Sequence, residues 1–280
     1  MTMFGKRPDA TLVRDLNAMR RFMPYVSPRR NDSLFYMSQD IRVDVAFEFL
    51  KKKNKDRPRN RPITLFHLYL RAVSVAISVR PGVNRFVKAG RLWQRDGVWM
   101  TFSAKRKLID GAPMITIKRR FSPESESLDE MVDATYEHLK AGRAGKQTTS
   151  EKEMKLLLRL PGPLIRIVLA ILRLADHFGL LPRKMIDADP LYTSVFLANL
   201  GSINYPAGFH HLWEYGTASL FGVMGKVERG ADGGRKFTAA WTYDERIEDG
   251  LYSQYALGMI RDGVENPETI ADPVKLPEDP

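Results

Sequence analysis

The chain has 280 residues, 44% hydrophobic and 28% charged, the composition of a globular protein long enough to bury a core in one large domain or two small ones. Its 44 Lys and Arg against 33 Asp and Glu leave a net charge of +11, which favours anionic partners without choosing among nucleic acid, phosphorylated cofactors and anionic membrane. The absence of cysteine excludes a disulfide framework, a thiolate metal site and a cysteine nucleophile.

Residues 1–20 read as an N-terminal extension without the apolar core of a secretory signal, so a cytoplasmic location is expected. A short helix is predicted at 9–21, followed by the turn-rich Ser27-Pro28-Arg29-Arg30-Asn31-Asp32. Residues 33–43 alternate as a strand and 44–53 carry a helical pattern. Residues 51–61 form a basic loop, which reads either as a guide for cofactor phosphates or as a solvated loop. Pro62 suits the first turn of a helix over 63–80, which must stop before Pro81. Strand patterns fill 85–120, joined by turns such as Arg95-Asp96-Gly97 and Asp110-Gly111. Residues 128–141 form an amphipathic helix capped at Ser127. The tail from Glu265, rich in Pro and acid, reads as extended or loosely ordered.

Residues 154–187 contain a nearly continuous apolar helix over 163–179, too short to span a bilayer. Arg159, Arg166 and Arg173 recur every seven residues and would form one polar stripe if the helix began before Arg159. Three roles stay open: a helix buried in the core or an oligomer contact, a wall for an acyl chain, and a basic amphipathic helix docked on a membrane surface.

The most informative stretch is Tyr243-Asp244-Glu245-Arg246-Ile247-Glu248-Asp249-Gly250. It resembles the Asp-His-Arg-x-x-Asp-Gly signature of 2-oxo acid dehydrogenase acyltransferase subunits, which share a fold with chloramphenicol acetyltransferase. Four more blocks resemble that family in order: 64–73, Pro81-Gly82-Val83-Asn84, 196–202 with Asn199-Leu200-Gly201, and 218–226. The resemblance runs from about Met19 to Pro267. It implies an α/β domain of the chloramphenicol acetyltransferase type, two layers with a mixed sheet and flanking helices, over residues 21–268. The insertion at 154–187 and a tail at 269–280 lie outside that pattern. It further implies a homotrimer with active sites between subunits, coenzyme A or acyl-coenzyme A as substrate, and a dehydrogenase complex as partner. No lipoyl attachment segment is read in the chain.

The resemblance also locates two departures. Glu245 stands where the family has its general-base histidine, and Ala198 where it has the serine that stabilises the oxyanion. Asp249 and Arg246 are retained as supports of the catalytic loop. Imidazole, titrating near ~6.5, is matched to deprotonating a thiol near ~8.5, whereas a glutamate near ~4.3 is a poor base unless burial raises it. Glu245 is therefore either a buried base or a solvated or salt-bridged carboxylate. The adjacent His210 and His211 are the candidates to replace it, oriented by Glu245, or else one core and one surface histidine. Asn199 is either an oxyanion donor or a turn residue before Gly201. His67 reads as a core histidine. No His-Glu-x-x-His or clustered ligand spacing suggests a metal, and no recognisable module suggests nucleic acid. The function expected is a coenzyme A-dependent acyltransferase with a rebuilt site, or an inactive relative that keeps the scaffold.

Overall fold

The computed structural model describes residues 6–105, 114–143 and 155–276. The turn at Asp110-Gly111, the start of the insertion at Met154 and the ends of the chain lie outside them. Near the N-terminus the sequence pattern misleads. The stretch predicted as one helix splits into β1 (Ala10–Leu12) and α1 (Ala18–Val26), the latter capped by Asn17, whose side chain accepts from Arg20 N at 2.9 Å. Strand β1 exists because it pairs antiparallel with β4 (Arg91–Arg95), with β3 (Arg85–Lys88) on the far side of β4. A three-residue edge strand has too few residues to show periodicity, so only its partner defines it.

The main sheet has six strands: β2 (Leu34–Arg42), β9 (Arg235–Asp244), β8 (Leu220–Arg229), β7 (Val195–Asn199), β5 (Val98–Lys105) and β6 (Met114–Phe121) in spatial order. Strands β8, β7 and β5 run parallel and the remaining pairs antiparallel, so the sheet is mixed. Side-chain alternation sorts it into two faces. Met100, Val195, Leu197, Ala239 and Trp241 join the core under α2 (Asp44–Lys53), α3 (Leu65–Val79), α4 (Leu128–Arg143) and α7 (Gly250–Glu265). Phe196, Phe221, Val223 and Ala240 face the other way, beneath Leu212 and Trp213.

Helix α3 is buried nearly all round, which explains its continuously apolar sequence. It starts at a reciprocal cap between Thr64 and His67, so Pro62 lies before the helix rather than in its first turn. Helix α4 begins with the same device between Ser127 and Glu130.

Two expectations are corrected. The C-terminal segment is not loose through 276: Ile270 and Ala271 are buried, and the buried Arg71 donates to the carbonyls of Ile270 (2.7 Å), Asp272 (2.7 Å), Glu126 (2.7 Å) and Pro123 (3.3 Å). One guanidinium satisfies four backbone acceptors and ties the segment to α3. The apolar helix of the insertion, α5 (Gly162–His177), is not a core helix. Its only buried residue is Asp176, which pairs with Arg7 at 2.8 Å and Lys88 at 2.5 Å. Because α5 starts at Gly162, after Pro161, Arg159 does not share its surface with Arg166 and Arg173. Leu172 and Ala175 pack on Leu181, Ile186 and Tyr192, the middle one from α6 (Arg183–Ala188).

Candidate active site

Strand β9 ends at Asp244, and the loop 245–249 carries the chain into α7. Asp244 is wholly buried and organises the loop. Arg246 grips it with a two-pronged fork, Nε and Nη2 each donating at 2.7 Å, and its Nη1 donates to Ser27 O at 2.7 Å. The buried Arg30 lies on the same carboxylate at 3.8 Å. Burial pushes the Arg30 guanidinium down, against the pull of Asp244.

Arg30 also reaches the opposite wall of the site. It donates to the carbonyls of Trp213 and Gly216, and Asn31 donates to Leu212 O at 2.7 Å. Glu214 accepts from the backbone N–H groups of Arg30 (3.2 Å) and Asn31 (2.9 Å). Burial alone would raise its carboxyl, but these donors hold it below the ordinary carboxylate range. The turn-rich segment Ser27-Pro28-Arg29-Arg30-Asn31-Asp32 is therefore the clamp between the Asp244–Arg246 loop and the segment that bears the histidines. Sequence reasoning missed Arg30, Asn31 and Asp244. Only Asp244 had a signal, since it opens the motif.

The named candidates fall into separate places. Glu245 is exposed; its backbone N–H donates to Ser33 O at 3.0 Å, and its carboxylate makes no hydrogen bond or ion pair among the described residues. It lines an open cleft of about 320 Å³ with Met19, Arg20, Phe35 and Asp249. Asp249 caps α7, accepting from Tyr252 N at 2.8 Å, and lies 3.6 Å from Arg20. The aspartate–arginine pair that supports the loop is thus Asp244 with Arg246, while Asp249 serves the helix. Glu248, not singled out from the sequence, pairs with Arg85 at 2.6 Å and Arg20 at 3.1 Å.

His210 is half-buried on the face of the sheet away from the helices. Its ring stacks on Phe221 (4.2 Å between centroids, 12° between planes) and on His211 (4.5 Å, 22°). Its Nδ1 lies 2.7 Å from the carbonyl oxygen of His211. A carbonyl only accepts, so Nδ1 carries the proton and the lone pair of the neutral ring is at Nε2. His211 is exposed. Neither histidine is bonded to Glu245 within the chain. Ala198 packs against the same apolar cluster as Phe221, so the histidine pair and Ala198 share one face.

Asn199 is a turn residue: its Oδ1 accepts from Ser202 N at 3.1 Å and its carbonyl from Ser202 Oγ at 2.8 Å. The following Gly201 is required by close approach, since a Cβ there would meet the Gly225 carbonyl oxygen at 2.6 Å. His67 is a core histidine, as expected. Three of the seven basic residues of the loop pair with α4, Lys53 and Arg57 on Asp129, Arg57 on Asp133 and Arg61 on Glu137. Among the described residues no group of three His, Asp or Glu side chains is arranged to hold a metal ion.

No protein-family model matches the sequence, and no curated protein matches it. Solved structures do. The dihydrolipoamide acetyltransferase of Azotobacter vinelandii, studied for the roles of a serine, a histidine and an asparagine in its mechanism, superposes with a TM-score of 0.59 at 14% identity, over 93% of this chain and 94% of that one. The truncated catalytic core of the 2-oxoacid dehydrogenase complex of Thermoplasma acidophilum gives 0.58 at 14% identity, over 91% and 98%. Chloramphenicol acetyltransferase gives 0.54 at 16% identity, over 92% and 98%. The chain therefore has the fold of chloramphenicol acetyltransferase and of the 2-oxo acid dehydrogenase acyltransferase cores.

Proposed function

We propose that this protein is a coenzyme A-dependent acyltransferase whose general base has moved from the position of Glu245 to His210. The observation that carries this reading is the contact of His210 Nδ1 with the His211 carbonyl, which leaves a lone pair on Nε2 at the sheet face shared with Ala198. That is the tautomer of the neutral ring needed to take a proton from a thiol at Nε2. Stacking on Phe221 fixes the ring plane, so the base is oriented before substrate arrives.

Glu245 then acts between copies. In one chain its carboxylate is exposed and unpaired, so the desolvation and the partner it needs must come from a neighbouring subunit. A homotrimer with its sites between subunits, as the resemblance implies, supplies both, and a neighbour's Glu245 would orient His210 or His211. Asp244, Arg246 and Arg30 position the loop, and Asp249 anchors it to α7. No side-chain hydroxyl at Ala198 is available to the oxyanion, and Asn199 is committed to its turn, which leaves backbone N–H groups for that task. Coenzyme A is the thiol carrier in this reading, and a dehydrogenase complex is the candidate partner in a cytoplasmic setting.

A second reading has its own support. The same exposure of Glu245 and the loss of the serine hydroxyl suit a relative that keeps the scaffold and has no turnover. Calorimetric titration with coenzyme A and acyl-coenzyme A, followed by a chromatographic assay of acyl transfer to a dithiol, separates the two. The transferase reading expects saturable binding, and His210→Ala is expected to lower kcat by ~10²–10⁴ with binding intact. Unchanged turnover in both His210→Ala and His211→Ala would remove the histidine base. Absence of both binding and turnover would leave the scaffold.

A further inference from the structure

Helix α5 presents an apolar stripe to solvent. At 100° per residue Leu164, Ile167, Ile171 and Leu174 fall on one line, and they are 46%, 54%, 60% and 58% exposed. The stripe is extended by Leu156, Leu158 and Leu160 before the helix and Leu180 after it, all exposed. Isolated apolar residues on a surface need no explanation, but eight within twenty-five positions do. They are not a strained remnant of the core, because the opposite edge of α5 is well anchored: Leu172 and Ala175 pack inward and Asp176 is locked by Arg7 and Lys88.

Charge chooses the occupant. From Lys155 to Ala175 the chain has four basic residues, Lys155, Arg159, Arg166 and Arg173, and no acidic one. Arg166 and Arg173 share a neighbouring exposed face, roughly 130° round the helix from the centre of the stripe, and form no ion pair among the described residues. The one carboxylate of α5, Asp176, is buried and already paired. A second copy laid on this face would bring arginines with no carboxylate to answer them. A lone acyl chain needs a walled channel, and this surface is convex. An anionic lipid surface meets both halves of the pattern, with apolar side chains at the acyl boundary and guanidinium groups at the phosphates. No described helix is long and apolar enough to cross a membrane, and 16 residues lying in the interface plane is the corresponding geometry.

We infer that α5 is an interfacial anchor that seats this face of the protein on an anionic membrane, with Leu164, Ile167, Ile171 and Leu174 inserted and Arg166 and Arg173 at the headgroups. This is independent of whether the acyl-transfer site is active. The test is co-sedimentation of the full chain with vesicles of mixed phosphatidylglycerol and phosphatidylcholine, and with phosphatidylcholine alone. Binding is expected to the anionic vesicles, to weaken with salt, and to fall on the order of tenfold per residue in Ile167→Ser and Ile171→Ser. Arg166→Gln with Arg173→Gln should lose the preference for anionic lipid. These side chains are exposed, so near-ultraviolet circular dichroism should stay native; Val45→Ser, at another exposed apolar residue on α2, is the control expected to bind normally. Anionic binding that survives the two serine changes would mean that net charge alone is responsible and would overturn the anchor. So would absent vesicle binding, and light scattering that shows an oligomer broken by the same changes would then give the stripe to a second copy.

Discussion

His67 makes a quantitative test of how the core is wired to the helix cap. Its ring is buried, and its Nδ1 accepts the Thr64 backbone N–H at 3.1 Å while the Thr64 hydroxyl lies 3.2 Å away. Accepting requires the lone pair, so the cap exists only with a neutral ring. Burial, aided by the charge of Arg57, pushes the imidazole down from 6.5 to about 4. The unfolded chain therefore binds a proton that the folded chain refuses between those two values. Stability from this residue is complete above the unfolded pKa and is lost as pH falls from 6.5 toward 4, by about 3 kcal/mol in all and about 2 kcal/mol by pH 5. His67→Gln isolates the effect, because glutamine at this position keeps a capping acceptor and cannot titrate. Urea unfolding of both proteins at pH 7 and pH 5 gives the difference directly, other titrating groups being common to the two. The wild type should lose about 2 kcal/mol more than the variant over that interval. Equal losses would refute the argument and mean that the ring is solvated or that the cap survives protonation.

Two further outcomes follow from single buried groups. Arg71→Met removes the donor to four carbonyls and should cost about 3–5 kcal/mol in urea unfolding, with limited proteolysis cutting the 266–276 segment first; a tail that stays protected would contradict the clamp. Asp244→Asn leaves the buried Arg246 and Arg30 side by side without a counter-charge, for a loss of about 3 kcal/mol, and an unchanged denaturation midpoint would show that the loop does not depend on the pair.

The architecture was legible where a local pattern carries it. Helix α2 was bounded to the residue, α3 and α4 within two, and Thr64 and Ser127 start the last two with side-chain caps that need no tertiary partner. The blocks at 196–202, 218–226 and 243–250 fell on β7, β8 and the end of β9 with the loop that follows it. The site was legible only in part. Asp249 and Asn199 were named, but one caps a helix and the other makes a turn. Arg30 had no signal at all, because its importance lies in reaching carbonyls more than 180 residues away.

By itself the sequence determined most of the strands and helices, since alternation, caps and turns are properties of adjacent residues, and the resemblance of its motifs implied the mixed sheet under helices. The resemblance of its motif at 243–250 implies in addition that a carboxylate, Glu245, stands where the family has its histidine. Tertiary structure alone decided that this carboxylate is exposed, that His210 turns its Nδ1 to the His211 carbonyl, and that the apolar helix of the insertion lies outside the core. The physical reason is common to all three. Burial, ring orientation and the face a helix turns to solvent are set by what the rest of the chain brings alongside, and periodicity records only that an apolar face exists.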